Sequence, residues 1–221
     1  MSSMKEERVF IIGDIHGCLD MLKRLMDKLV WRPKKDKLIF LGDYIDRGEN
    51  SKGVVDYIVA LTKVSPHVEC LLGNHEAMFL DYIFNINRKL YLINGGMTTL
   101  KSYGSGHPGE VEILLPPDHS SFYRSLKSFI ELDDYLVVHA GFRPGVEIEA
   151  QSQEDMIWIR DAFISSHYDF GKKVIFGHTP FNHPLIMKNK IGLDTGAAYG
   201  NRLTCLELPE MRFHSVEAAS S

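Results

Sequence analysis

At 221 residues the chain is long enough to bury a sizeable core as one domain, taken here as 1–221, and its 44% hydrophobic and 24% charged make-up excludes a disordered protein. A formal charge of −4 with no run of Lys or Arg argues against nucleic-acid binding; an anionic substrate stays open, because bound cations can reverse the local field. Cys18, Cys70 and Cys205 are too scattered for a disulfide framework or a zinc knuckle and point to reduced thiols. The polar stretch 1–7 leads straight into an apolar run, unlike a signal peptide, and no apolar run approaches the ~18–20 residues that cross a bilayer. A cytoplasmic protein with no membrane partner is expected.

From the N-terminus onward, short apolar runs each end in glycine or a polar residue. Val9–Ile12 leads to Gly13-Asp14, Leu38–Leu41 to Gly42-Asp43, and Val68–Leu72 to Gly73-Asn74-His75. Tyr135–Val138 leads to His139, and Val174–Phe176 to Gly177-His178. Runs this short, rich in β-branched and aromatic residues, predict buried strands. Helical stripes fall between them: Leu19, Leu22, Leu25, Met26 and Leu29; then Val54, Val55, Ile58 and Val59, with Asn50 or Ser51 as N-cap; then Phe122, Leu126, Phe129 and Ile130. Ser152 and Asp155 form a capping-box pattern opening a helix through Trp158. Leu185–Lys188, Ile191–Leu193, Leu203–Leu208 and Arg212–Val216 predict strands with no helix between them, hence a second, more antiparallel sheet. The expected fold is an α/β/β/α sandwich: two central sheets with helices outside. The Gly- and Pro-rich stretch 95–120 is expected to be a substrate-facing loop, and the tail 217–221 to be frayed.

The five runs share one property: each delivers an Asp, Asn or His at its carboxyl end, where ligands collect in α/β sheets. Asp14, His16, Asp43, Asn74, His139 and His178 therefore converge as oxygen and imidazole donors without thiolate, a mixture suited to Mn, Fe or Zn. The donors suffice for two divalent ions. Asp43 is the natural shared ligand, with Asp14 and His16 completing one site and Asn74, His139 and His178 the other. Two such ions balanced against Asp14, Asp43 and one hydroxide leave a positive surplus that attracts phosphate. Ions so paired sit ~3.5–4 Å apart and clamp the attacking and leaving oxygens of an in-line displacement. Arg47, in Gly42-Asp43-Tyr44-Ile45-Asp46-Arg47-Gly48, offers a guanidinium fork for phosphate, and Arg160, in Trp158-Ile159-Arg160-Asp161, is a second candidate clamp. His75 follows Asn74 directly, and Asp46 is placed to accept from its ring, fixing its tautomer as a general acid requires. Glu76 is expected beside the site in a structural role, and Cys18 as a small packed residue. Of the remaining histidines, His67, His107, His119, His167, His183 and His214 read as surface or loop residues, with His107 and His183 as outside candidates for substrate contact. Tyr44, Phe142 and Tyr199 are candidates for lining a groove or for ordinary packing.

Gly13-Asp14-Ile15-His16-Gly17, Gly42–Gly48, Gly73-Asn74-His75-Glu76, His139-Ala140-Gly141 and Gly177-His178-Thr179, in that order over residues 9 to about 200, resemble the signature set of calcineurin-like metallophosphoesterases. More narrowly they resemble the phosphoprotein phosphatases in their small bacterial and phage form. The resemblance implies a four-layer α/β/β/α fold and two divalent metal ions, most often Mn²⁺. It also implies direct attack by a metal-bound hydroxide, phosphate held by Arg47 and Arg160, and proton donation by His75 with Asp46. The expected activity is hydrolysis of phosphoserine and phosphothreonine in proteins or peptides, with small aryl phosphates as further substrates. The alternative is a symmetrical dinucleoside tetraphosphate hydrolase or other nucleotide phosphohydrolase; such enzymes often carry a different residue in place of Asp46, followed by Arg-Gly-Pro, so Asp46-Arg47-Gly48-Glu49 favours the phosphatase. A scaffold that has lost catalysis is disfavoured because His75 and every candidate ligand are present.

Overall fold

The computed structural model describes residues 7–104 and 114–219. Among the described residues ten strands form two five-stranded sheets. Strands β1 (Val9–Ile12), β2 (Lys37–Phe40) and β3 (Val68–Cys70) run parallel, and β9 (Arg202–Leu208) and β10 (Arg212–Glu217) continue that sheet antiparallel on the free edge of β1, in the order β10-β9-β1-β2-β3. The other sheet has the order β4-β5-β6-β8-β7, where β4 is Phe129–Glu131, β5 Tyr135–Val138, β6 Lys173–Phe176, β7 Leu185–Ile186 and β8 Lys190–Gly192. Its centre, β5-β6-β8, is parallel, and its edges are antiparallel.

Alternation along the strands sorts the core into three slabs. Ile11, Ile39, Leu41, Val137, Ile175, Ile191 and Leu206 fill the space between the sheets. Their neighbours Phe10, Ile12, Leu38 and Phe40 face outward, beneath α1 (Leu19–Lys28) and α2 (Ser51–Val64). On the far side Leu136, Val138, Val174 and Phe176 pack on residues of α7 (Gln153–Trp158) and α8 (Asp161–Ile164). Four layers result, as expected. Both predicted N-caps form: Asn50 accepts from Gly53 N–H and Ser152 from Asp155 N–H, each at 3.0 Å.

Three local expectations need correction. The four C-terminal strands do not make one sheet. β1 has β2 on one edge only, so β9 and β10 complete its sheet, while β7 and β8 complete the other. The stripe Phe122–Ile130 is not one helix: α6 (Pro117–Ser125) ends where Leu126 turns extended (ψ 133°), and Phe129 and Ile130 belong to β4, paired with β5. Nor is 95–120 all loop. Helix α3 (Asn74–Ile83) is followed by α4 (Arg88–Tyr91), a wide π-type turn (Leu92–Gly96) and α5 (Met97–Ser102). The remainder, including His107, lies partly outside the described residues, as do 220 and 221 of the tail; β10 holds Glu217 in register with Arg202.

Candidate active site

Strands β1, β2, β3, β5 and β6 all end at one edge, where the sheets meet. The turns that follow carry Asp14, His16, Asp43, Asn74, His139 and His178, none more than 3% exposed. Among them His16, Asp43 and His178, with Asp46 and Arg47 beside them, hold left-handed backbone at φ between 47° and 70°. Such conformations are unfavourable for non-glycine residues, by about 1–3 kcal/mol each, and persist only where surroundings over-determine them. Here Asp43 O accepts from Ile15 and His16 N–H at 3.1 and 2.8 Å, tying the first turn to the second. Glu76 braces the second turn against the third: its carboxylate accepts from Asp43 N–H (2.8 Å), Tyr44 N–H (2.9 Å) and Gly73 N–H (3.2 Å), the structural role expected of it. Gly73 and Gly177 are required by proximity, since a Cβ would run into Asp43 at the first and into Asp14 Oδ1 at the second.

The donor atoms form two tight groups, His16–Asp43–His75 and Asp43–His139–His178, each with its ligand atoms within 4.8 Å of one another. Asp43 belongs to both. Its Oδ2 lies 3.4 Å from His16 Nε2 and its Oδ1 3.4 Å from His139 Nε2. The tautomers are set from behind: His16 Nδ1 donates to Ile45 O at 2.9 Å and His139 Nδ1 to Leu41 O at 2.8 Å, which leaves both Nε2 lone pairs facing Asp43. Asn74 Oδ1 sits 3.1 Å from His139 Nε2 and 2.8 Å from His178 Nδ1. Asp14 stands a little apart, its Oδ2 accepting from His178 N–H at 2.9 Å. Asp14 Oδ1 and His178 Nε2 are buried with no hydrogen-bond partner among the described residues. A convergence of acceptors with orphaned buried atoms is costly unless cations bind there, so the residues fit two divalent ions.

Electrostatics agree. Burial pushes His16 down to about 3 and His178 to about 2, and lowers His139, so these imidazoles are neutral donors at neutral pH. Burial acts on Asp43 in the opposite sense, but the surrounding imidazoles, His139 foremost, oppose protonation of the carboxyl once they carry protons in acid and hold it below its usual range. Asp14 is raised by burial and by the neighbouring carboxylates Asp194 and Asp43, a repulsion that bound cations relieve.

The remaining predicted groups surround this cluster. His75 Nδ1 and Asp46 Oδ2 are 2.7 Å apart, with both side chains buried. Asp46 Oδ1 accepts in addition from the hydroxyls of Tyr91 (2.7 Å) and Thr99 (2.6 Å). The half-buried Arg47 donates through Nη1 to His16 Nε2, and its guanidinium lies 5.3 Å from the centroid of the exposed Tyr199 ring. Arg160 is exposed at the junction of α7 and α8, 3.5 Å from Thr179 Oγ1, and its charge is felt by His139 and His178. Of the groove candidates only Tyr199 is at the rim; Tyr44 and Phe142 are fully buried. Cys18 is packed, its thiol pushed by burial up to about 11. His119 is not a surface residue: both ring nitrogens are bonded, to Tyr103 OH (2.7 Å) and Asp56 (2.8 Å), which permits its burial.

Sequence reasoning missed three residues. Asp194, buried among the carboxylates and raised to about 6 chiefly by burial, follows the run Ile191–Leu193, the same signal that located the other five turns. Tyr91 and Thr99 carried no such signal.

With this arrangement in place the protein's class follows. The calcineurin-like phosphoesterase model matches residues 7–205, and the chain belongs to that family. It is a metallophosphoesterase, a hydrolase of phosphate esters. Among curated relatives, bis(5'-nucleosyl)-tetraphosphatase PrpE (asymmetrical) of Bacillus thuringiensis strain Al Hakam is 28% identical over 233 aligned positions, covering 95% of this chain and 94% of that protein. The protein of the same description from Anoxybacillus flavithermus WK1 is 29% identical over 231 positions, with 93% and 92% covered. Of solved structures, one provisionally assigned as a diadenosine tetraphosphatase superposes with a TM-score of 0.76 at 23% identity, over 99% of this chain and 96% of that one. A serine/threonine phosphatase from Saccharomyces cerevisiae follows at 0.73 and 17%, over 100% and 82%. At these identities the two structures establish the shared fold. No helix of the described residues is long and apolar enough to cross a membrane.

Proposed function

We propose that the chain is a metal-dependent hydrolase of dinucleoside polyphosphates, with small phosphate monoesters as a second class of substrate. The observation that carries this is the end-to-end match to relatives named as asymmetrical dinucleoside tetraphosphatases, which spans 95% of this chain and 94% of the relative. A cavity of about 540 Å³ lies beside the first two turns, with Gly17 and Gly48, next in sequence to His16 and Arg47, in its lining. It gives room for more than a single phosphoryl group. The preference for phosphoserine and phosphothreonine that Glu49 suggested thereby becomes the second reading. One observation favours that reading: the buried His75–Asp46 pair at 2.7 Å is most valuable where the leaving group is a poorly stabilised alkoxide.

In this proposal Asp14, His16 and Asp43 hold one divalent ion, Mn²⁺ being the first candidate and Fe or Zn the others, and Asp43, Asn74, His139 and His178 hold a second. When bound, the pair supplies Lewis-acid charge and a water acidic enough to attack phosphorus at neutral pH. Arg47 and Arg160 bind equatorial phosphoryl oxygens and orient the group for in-line displacement. His75 gives the proton on its outward nitrogen to the departing oxygen, while Asp46 holds the other N–H and stabilises the charged ring.

Rates on diadenosine tetraphosphate, a phosphoserine peptide and 4-nitrophenyl phosphate, measured side by side, test the assignment. We expect the dinucleotide to be cleaved with the highest kcat/KM and to yield AMP and ATP. A phosphopeptide cleaved faster than the dinucleotide would replace this reading with the second. Arg47→Ala should raise the inhibition constant of inorganic phosphate by about 10–100-fold, the worth of a charge-assisted hydrogen-bond pair. An unchanged constant would remove Arg47 from the phosphate clamp.

A further inference from the structure

We propose that the helical stretch Tyr91–Thr99 is a template for the Asp46–Arg47 turn, with Tyr91 and Thr99 as positioning residues for the proton donor. This rests on the reading of His75 as that donor. Asp46 and Arg47 are consecutive residues with left-handed backbone, φ 70° and 66°. Two such residues in a row do not persist unaided, and a single neighbouring segment meets them at three points spaced four residues apart. Tyr91 OH donates to Asp46 Oδ1 at 2.7 Å. Gly95 O accepts from Arg47 N–H at 3.3 Å. Thr99 Oγ1 donates to Asp46 Oδ1 at 2.6 Å and accepts from Asp46 N–H at 2.9 Å.

In an unbroken α-helix of 3.6 residues per turn, residue i+8 is rotated by about 80° from residue i, too far to reach the same carboxylate. The wide turn Leu92–Gly96, kinked at Gly95 (φ 99°), takes up that rotation and brings Tyr91 and Thr99 onto one oxygen. A Cβ at Gly95 would lie 3.1 Å from Arg47 Cγ, so the closeness of the template to the clamp residue depends on that glycine.

The hydroxyls are not incidental to packing. Tyr91, Thr99, Asp46 and His75 are all 0–1% exposed. With His75 donating to Oδ2, the carboxylate accepts from three side chains, which fixes its plane and through it the imidazole ring. Tyr91 is anchored in turn by Phe79 and Tyr82, at centroid distances of 5.6 and 5.2 Å. One segment therefore aligns the acid through its hydroxyls and the clamp through Gly95.

The test separates these two outputs and uses the full-length, Mn²⁺-loaded protein. The double variant Tyr91→Phe, Thr99→Val should lower kcat on an alkyl phosphate by about 10–100-fold, the usual cost of losing an outer-shell partner. The loss should be distinctly smaller on 4-nitrophenyl phosphate, whose leaving group needs little protonation. Thr99→Ser, which keeps the hydroxyl, should restore the single variant Thr99→Val. Gly95→Ala should raise the phosphate inhibition constant without changing the ratio of the two rates. His75→Asn is run in parallel. If it shows the unequal loss and the double variant loses both activities equally, or neither, the template is wrong while the acid assignment survives. If His75→Asn itself loses both equally, the acid assignment fails first. Should the double variant not fold, Thr99→Val alone reads the same ratio.

Discussion

Removing divalent ions with a chelator is expected to abolish hydrolysis of every substrate, and Mn²⁺ to restore it. Asp14, Asp43 and Asp194 are buried together, and repulsion from Asp194 and Asp43 helps raise Asp14. Asp14 Oδ1 and His178 Nε2 have no hydrogen-bond partner among the described residues. His75 Nδ1 is committed to Asp46, and burial lowers His16, His139 and His178, which makes them weak bases toward a water. A loss to background, orders of magnitude rather than a few fold, is expected, because ions held by these residues would supply both the acidity of the attacking water and charge for phosphate binding. Elemental analysis of the purified protein should find up to two transition-metal ions per chain. Full activity in excess chelator would show that the hydrolytic route does not pass through this cluster.

His75→Asn is expected to lower kcat on monoesters by about 10²–10⁴-fold, the range for a positioned general acid, at unchanged metal content. The two halves of that expectation have separate physical sources. His75 is within reach of Asp43, its backbone N–H donating to Asp43 Oδ1 at 3.1 Å, and asparagine retains that bond, so the ligand turn survives. What asparagine cannot do is carry a transferable proton against Asp46. If kcat stays the same, the proton comes from elsewhere. If kcat and metal content fall together, His75 is a ligand in the group it shares with His16 and Asp43 rather than a proton donor.

Much of this was legible in the chain alone, and for a specific reason. The five site turns follow parallel strands, four of them largely buried and the fifth, β3, at a sheet edge, whose short apolar runs end abruptly in Gly, Asp, Asn or His, so both position and chemistry are written within a few residues. Asp194 bears the same mark after Ile191–Leu193 and could have been found by it. Tyr91 and Thr99 could not. Their role depends on how a kinked helix faces a turn 45 residues before Tyr91 and 53 before Thr99, and tyrosine or threonine on a helix is ordinary. The stripe Phe122–Ile130 misled because its apolar spacing satisfies both a helix and, from Phe129, a strand; pairing with β5 decides it. The division of β7–β10 between two sheets is likewise set by which strand edges stand open, a property of the assembled fold that no local pattern encodes.

The seam between the sheets has a mechanical consequence. Asp14, His16, Asp43 and Asn74 follow strands of one sheet, whereas His139 and His178 follow strands of the other. His139 Nδ1 to Leu41 O, at 2.8 Å, and His178 N–H to Asp14, at 2.9 Å, already cross the joint. An ion shared by Asp43 and His139 would rivet the two halves together at the edge where chemistry occurs. Resistance to unfolding would then rise with ion concentration, and any slippage of one sheet over the other would register first as weakened ion binding, well before the sandwich came apart.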